Sequence, residues 1–314
     1  MKNSILVLIV IAFGPAIVAG AGVPAPAYRS ELRIPYCTVD GNVLTLNAFL
    51  PIDAKKPTPV MVDIHGGWWS GGEPVTGIPD YLAKKGIALF SISYRLGERG
   101  GFPQNIRDCR NAIRFIRKNA ARFNIDPDRI DCMGGSAGGH LSLMVAMVPD
   151  DFDDGGPTDE LEGYSARVAG CFGFIAPTDF IRFWNQGPDD AVTSAYGGIT
   201  FRVPDPKIPY DSRPRLRMLF HGITPDSPEH MALYRRMCPM GQVRKDVPPL
   251  LICDGDIDPI VPGLHGKLLH EKLQNLGADT TYWMSVNGGH AFPSGDGFMD
   301  LLDAFLIRTL KLTE

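Results

Sequence analysis

Positive charge is nowhere concentrated in this sequence. Its 31 Lys and Arg stand against 35 Asp and Glu, a formal net charge of -4, and no long basic run occurs. That excludes the electrostatic field which gathers nucleic acid, so no nucleic-acid partner is expected. Metal-ligand spacing is missing too. The 6 cysteines include no C-x-x-C pair and the 7 histidines form no H-E-x-x-H cluster, so neither a metal nor another cofactor is expected. Nor do the cysteines look like a disulfide framework. Cys132, Cys171 and Cys253 lie in apolar runs that read as core strands, and Cys109 falls on the apolar face of a helix, places where a thiol serves as a small buried hydrophobe.

A membrane-spanning run is also lacking. The N-terminus is nearly all apolar from Ile5 to Val18, short of the ~20 residues that cross a bilayer. Lys2 precedes that run and the small residues Ala19-Gly20-Ala21 follow it, the three-part layout of a secretory leader. A signal peptide over residues 1–21, cleaved after Ala21, is predicted, with a secreted or periplasmic product that no longer touches a membrane. An uncleaved anchor is the alternative.

What is present is ordinary globular composition, 44% hydrophobic and 21% charged, which fits one catalytic domain over 22–314. Short apolar runs alternate with helical patterns, the signature of a mostly parallel sheet with helices on both faces. Strands are predicted at Val60 to Ile64, Ala88 to Tyr94, Ile130 to Met133, Val168 to Ile175, Leu250 to Cys253 and Thr281 to Met284. Arg33 to Thr38 and Val43 to Phe49 flank Val39-Asp40-Gly41-Asn42 and read as an edge hairpin. That gives about eight strands, an α/β class. From Ile106 to Phe123 the apolar residues recur at helical spacing, which predicts one helix with Arg110, Arg114, Arg117 and Lys118 facing water. The acidic stretch from Asp150 to Glu162 lacks the order of a calcium loop and reads as a plain surface loop. Residues 178–247 interrupt the alternation between two core strands, as a small helical cap would.

Gly134-Gly135-Ser136-Ala137-Gly138 follows a predicted strand and precedes a helical run, the context a G-x-S-x-G nucleophile elbow demands. A hydroxyl is a poor nucleophile until a positioned base removes its proton. His290, in the Gly-rich loop after the last strand, has the right chain order for that base. His65, His140, His221, His230, His265 and His270 read as surface or packing residues. The acid that orients the imidazole belongs on the loop after the penultimate strand. Asp254, Asp256 and Asp258 all follow Leu250 to Cys253. Asp258 is chosen because it stands far enough past the strand to reach sideways, with Asp254 and Asp256 as alternatives. Amide donors for a tetrahedral oxyanion are assigned to Gly67, Trp68 and Ala137, with Gly66 as a substitute. Trp69 and Phe292, together with Trp68, are candidates for an apolar substrate pocket.

These residues resemble the α/β-hydrolase superfamily, within it the esterases that include feruloyl-esterase-like (BD-FAE), hormone-sensitive-lipase-like and kynurenine-formamidase-like proteins. The likeness runs from about Tyr36 to Leu310. Asp126-Pro127-Asp128-Arg129-Ile130 leading into Gly134-Gly135-Ser136-Ala137-Gly138-Gly139-His140, with Asp258-Pro259-Ile260-Val261-Pro262 and Gly289-His290, is most similar to the feruloyl-esterase-like branch. Gly135 stands where hormone-sensitive-lipase-like enzymes carry aspartate, and Trp68 where they carry a third glycine. His65-Gly66-Gly67-Trp68-Trp69 is similar to the H-G-G-x-W motif of kynurenine formamidases, a substrate that export argues against. The resemblance implies an α/β-hydrolase fold and a serine carboxylesterase acting on small-molecule or polysaccharide esters, acetyl or feruloyl among them. Two other readings stay open, an amide-cleaving enzyme with the same triad and a non-catalytic binding module on the same fold.

Overall fold

The computed structural model describes residues 27–52, 54–185, 195–196, 199–200 and 211–312. The leader expected over 1–21 and part of the insert lie outside the described residues. Among those described, the strands in chain order are β1 (Tyr28–Val39), β2 (Asn42–Pro51), β3 (Thr58–Ile64), β4 (Ala88–Ile92), β5 (Ile125–Gly135), β6 (Gly170–Phe174), β7 (Ala195–Tyr196), β8 (Ile199–Thr200), β9 (Leu250–Gly255) and β10 (Thr280–Ser285). The helices are α1 (Asp80–Lys84), α2 (Gln104–Lys118), α3 (Ala120–Phe123), α4 (Ala137–Met147), α5 (Phe180–Asn185), α6 (Arg213–Leu219), α7 (Pro228–Met237), α8 (Leu264–Asn275) and α9 (Phe298–Leu310).

An 8-stranded sheet runs in the order β1-β2-β4-β3-β5-β6-β9-β10, while β7 and β8 pair by themselves inside the insert. β2 is antiparallel to both β1 and β4, and every other pairing in the large sheet is parallel. The hairpin closes where Val39 faces Asn42. Asp40 and Gly41 both take positive φ, 50° and 73°, as a two-residue turn matched to strand twist requires.

All seven residues of β3 are buried, because a central parallel strand is covered on both faces. Val60, Val62 and Ile64 join one apolar cluster with residues of α2, α4 and α8, whereas Met61 joins a second with Leu82 of α1 and Phe298, Leu302 and Phe305 of α9. Successive side chains point to opposite faces, so a three-layer sandwich follows from the strand's period of two. The parallel strands also send all their carboxyl ends to one edge, where ligands of open α/β sheets bind. All six cysteines are buried and unpaired. Cys132 and Cys171 sit side by side on β5 and β6.

Three expectations need correction. The helix predicted from Ile106 to Phe123 breaks at Asn119, whose side-chain amide donates to the Phe115 carbonyl at 2.8 Å. Such local bonding competes with the helical ladder, and α3 resumes for a single turn before the left-handed Asn124 ends it. Two of the three arginines on that face of α2 do not meet water, while Arg117 is half-buried. Arg110 and Arg114 are 2% and 5% exposed, and Arg110 pairs with Asp154 at 2.7 Å while donating to the Asp150 carbonyl at 2.8 Å. The segment from Asp150 onward is therefore not a plain surface loop. It folds over α2 and supplies the acceptors a buried guanidinium needs. Lys118 remains exposed as expected.

In the insert, α5, α6 and α7 place Phe180, Phe183, Leu216, Leu219, Phe220, Tyr234 and Met237 in the main core. Phe220 and Tyr234 stack with centroids 3.7 Å apart. These helices are integral to the packing. No helix of the described residues is long and apolar enough to cross a membrane.

Candidate active site

β5 ends at Gly135 and α4 starts at Ala137, so the whole turn between them is Ser136. Its φ of 57° and ψ of -123° lie where L-residues are strained by on the order of 1–3 kcal/mol, a conformation that persists only when its surroundings dictate it. Here the Ser136 amide donates to the Phe174 carbonyl at 3.0 Å, and its carbonyl accepts from the His140 amide at 2.9 Å. Both sides of the turn are thereby fixed. A methyl group on Gly138 would sit 1.9 Å from the Ile64 carbonyl oxygen, so glycine there is what lets α4 touch the end of β3. Ser136 is 7% exposed and caps an 11-residue helix whose amide end carries partial positive charge.

The loop after β3 lies against this elbow. A Cβ built on Gly66 would stand 3.6 Å from Ser136 Cβ. Gly67 turns at φ 111° and its carbonyl accepts from the Ser70 and Gly71 amides. Trp68 and Trp69 follow with positive φ of 58° and 56°. Ala137 is the first residue of α4, so its amide is among those without an intrahelical acceptor. His65 stacks on Tyr94 at 4.4 Å and accepts the Tyr94 hydroxyl on its carbonyl. Burial lowers its pKa, leaving a neutral ring.

On the other flank, Asp258 and His290 meet. His290 Nδ1 donates to Asp258 Oδ2 at 2.7 Å, and Asp258 Oδ1 accepts the Ile260 and Val261 amides at 2.8 and 3.0 Å. The side chain thus closes a turn on its own following backbone. Asp256 does a different job. Its Oδ1 accepts the Gly288 amide at 3.1 Å, and with Ile257 N–H donating to the Gly288 carbonyl it laces the two loops that carry the acid and the imidazole. Asp254 stays under the sheet edge, 1% exposed, its pKa well above the usual carboxylate range because of burial and the neighbouring Asp258. Of the three aspartates, the structure brings Asp258 to His290.

The aromatic residues divide. Trp69, expected to line a pocket, is wholly buried, and its indole Nε1 donates to His140 Nδ1 at 3.2 Å beneath the loop. Trp68 is half-buried and lies parallel to Phe183 of α5, 6.1 Å between centroids. Phe292 is half-buried with its edge against Phe174 and Phe172. His140, read as a packing or surface histidine, is buried, and Arg215 of α6 donates to Ser70 Oγ at 3.2 Å. Among the described residues no group of His, Cys, Asp and Glu is arranged to hold a metal.

A strained serine between a parallel strand and a helix, with an Asp–His pair on later loops of the same sheet edge, defines an α/β hydrolase. The BD-FAE family model matches residues 46–273, and the chain belongs to that family. It is similar to Esterase LipC of Mycobacterium tuberculosis, 27% identical over 251 residues that make up 77% of this chain and 55% of LipC. The chain spans about half the length of the curated relatives it matches. Among solved structures, a truncated carbohydrate esterase from gut microbiota aligns with a TM-score of 0.70 at 25% identity, covering 92% of this chain and 100% of the other. Thermogutta terrifontis esterase 2 phosphonylated by sarin gives a TM-score of 0.68 at 25% identity, covering 93% and 98%.

Proposed function

We propose that this protein is a carboxylic-ester hydrolase working through an acyl-enzyme on Ser136. The observation that carries the reading is the 2.7 Å bond from His290 Nδ1 to the buried Asp258, on the same sheet edge as the strained Ser136. With Nδ1 engaged, His290 keeps Nε2 for the Ser136 hydroxyl. As Ser136 Oγ attacks the ester carbon, Nε2 takes its proton, and Asp258 holds the imidazolium that forms. The carbonyl oxygen becomes an oxyanion, for which the amides of Gly67, Trp68 and Ala137 are the proposed donors. Collapse expels the alcohol, protonated by His290. Water then repeats the sequence on the acyl-enzyme with His290 as base, releasing the acid and restoring Ser136.

Acetyl or feruloyl esters of polysaccharide are the proposed substrates, supported by the family and by the likeness to a carbohydrate esterase. Export follows from the leader read in residues 1–21, giving a secreted or periplasmic protein that begins at Gly22. Ser136→Ala is expected to lower kcat for p-nitrophenyl acetate by about 10⁶, as loss of a triad nucleophile does, and to abolish labelling by a fluorophosphonate. Near-wild-type turnover in that variant would sink the mechanism. Labelling also separates the hydrolase from a binding module on the same fold, which would stay unmodified. Comparing acetylated xylan and methyl ferulate with an anilide of the same acyl group then distinguishes ester from amide cleavage.

A further inference from the structure

His140 is completely buried at 0% exposure, yet both of its ring nitrogens are spoken for by distant parts of the chain. Nδ1 faces the indole N–H of Trp69 at 3.2 Å, and Nε2 faces the Met237 carbonyl at 2.9 Å. A tryptophan N–H only donates and a carbonyl only accepts, so the two partners dictate one tautomer, neutral with its proton on Nε2. Burial agrees, since it pulls the imidazole down to about 4 and keeps it uncharged. A protonated ring would turn two donors toward each other at Trp69.

The ring therefore joins three pieces of the fold through hydrogen bonds. It is anchored on α4, four residues after Ser136 and one turn along the same helix. Trp69 is the foot of the loop whose Gly67 and Trp68 amides the mechanism uses, and Met237 ends α7 of the insert. Trp69 stands edge-on to His140 at 5.3 Å, and Phe180 of α5 covers it at 4.7 Å. We propose that His140 is a positioning residue for the oxyanion loop, holding Trp69 through Nδ1 and registering the loop against the inserted helices through Nε2. The proposal deepens the esterase reading and rests on it. It gives the insert a role in catalysis beyond its direct contacts with the loop, because movement of the end of α7 reaches Trp69 through the imidazole.

The test compares His140→Leu, His140→Asn and Trp69→Phe on p-nitrophenyl acetate, after fluorophosphonate labelling of the parent and of Ser136→Ala has settled the esterase reading separately. Leucine offers neither bond. Asparagine places its side-chain oxygen near the Nδ1 position, so it still accepts from Trp69 but does not reach Met237. Leucine at 140 and phenylalanine at 69 are each expected to lower kcat by roughly tenfold to a hundredfold, less than loss of an oxyanion donor, with KM within about twofold, the sign of an interaction realised in the transition state. Because both remove the same bond, the double variant should be no worse than the poorer single one. His140→Asn, which keeps the Trp69 bond and loses the Met237 one, should fall between the parent and His140→Leu. An asparagine variant as slow as the leucine one, or single losses that multiply in the double variant, would overturn the proposal, as would a change confined to Tm. Since Trp69→Phe leaves His140 in place, the comparison survives a leucine variant that fails to fold.

Discussion

Two aspartates leave the end of β9 four residues apart, and the structure treats them oppositely. Asp254, the penultimate residue of the strand, is buried beside Tyr282, and burial together with the charge of Asp258 lifts its pKa far above the ordinary range. Burial of that kind favours the protonated carboxyl over the carboxylate. Asp258 is buried almost as deeply, 3% exposed, but its turn gives Oδ1 two backbone amides and its Oδ2 receives His290. Depth alone thus pushes an acid toward its neutral form, which supports an imidazolium poorly. What makes an acid serviceable is the donor set that its own loop folds around it.

The hardest way to break this comparison is to exchange the two acids' roles by substitution. Asp258→Asn keeps the shape but removes the charge and favours the wrong histidine tautomer, and a fall in kcat of about 10⁴ is expected, the size seen when a triad aspartate is amidated. Asp254→Asn puts a neutral amide where burial already favours the neutral acid. Its kcat should stay within about twofold of the parent on p-nitrophenyl acetate. If the Asp254 variant were the slow one, the assignment of the acid would be reversed.

A second way takes the ion-pair partner from a buried acid. Asp154 is buried against Arg110 at 2.7 Å, and Arg110→Met would leave its Oδ2 without that cation, with the Gly156 amide still on Oδ1. Removing one member of a buried pair typically destabilises by about 3–5 kcal/mol, whereas replacing both with apolar residues is often neutral. Urea unfolding should therefore show a loss of that order for Arg110→Met and recovery of more than half of it in Arg110→Met/Asp154→Leu. A single variant as stable as the parent would mean that neither the ion pair nor the carbonyls that accept from Arg110 add net stability.

That same arginine marks the boundary of what the sequence could reveal. The elbow was legible because its steric demands restrict residue type, as the 1.9 Å approach at Gly138 shows, and the sheet was legible because strands covered on both faces must be continuously apolar. Periodicity on α2 correctly said which side turns away from the sheet. It carried no information about what covers that side, since Asp154 lies 44 residues further on. His140 was passed over for the same reason, its partners being 71 and 97 residues away. Trp69 looked like a pocket wall because a motif places it near the chemistry, but the positive φ of Trp68 and Trp69 turns one indole outward and the next beneath the loop. Local rules specify such a turn poorly.

The smallest expected effect concerns Asp131, a buried acid of the Asp254 kind in the middle of β5, where pH is the lever. Burial raises it from 3.8 to about 7, partly offset by the Thr309 hydroxyl. An acid raised in this way binds a proton in the folded chain that the unfolded chain has already released, over the window from about 4 to about 7. Stability contributed by that proton is fully present below the lower value and is lost as pH climbs through the upper one. Asp131→Asn removes the proton from the balance. Chemical denaturation at pH 5 and pH 8 should then show the parent losing stability between the two, and the variant losing less by on the order of 2 kcal/mol. Some slope must remain, because Asp63, raised to about 6 against its bond with Ser91, titrates in both proteins. A variant whose slope matched the parent's would show that Asp131 is already ionised in the folded chain, with Thr309 and the Gly170 amide as sufficient donors.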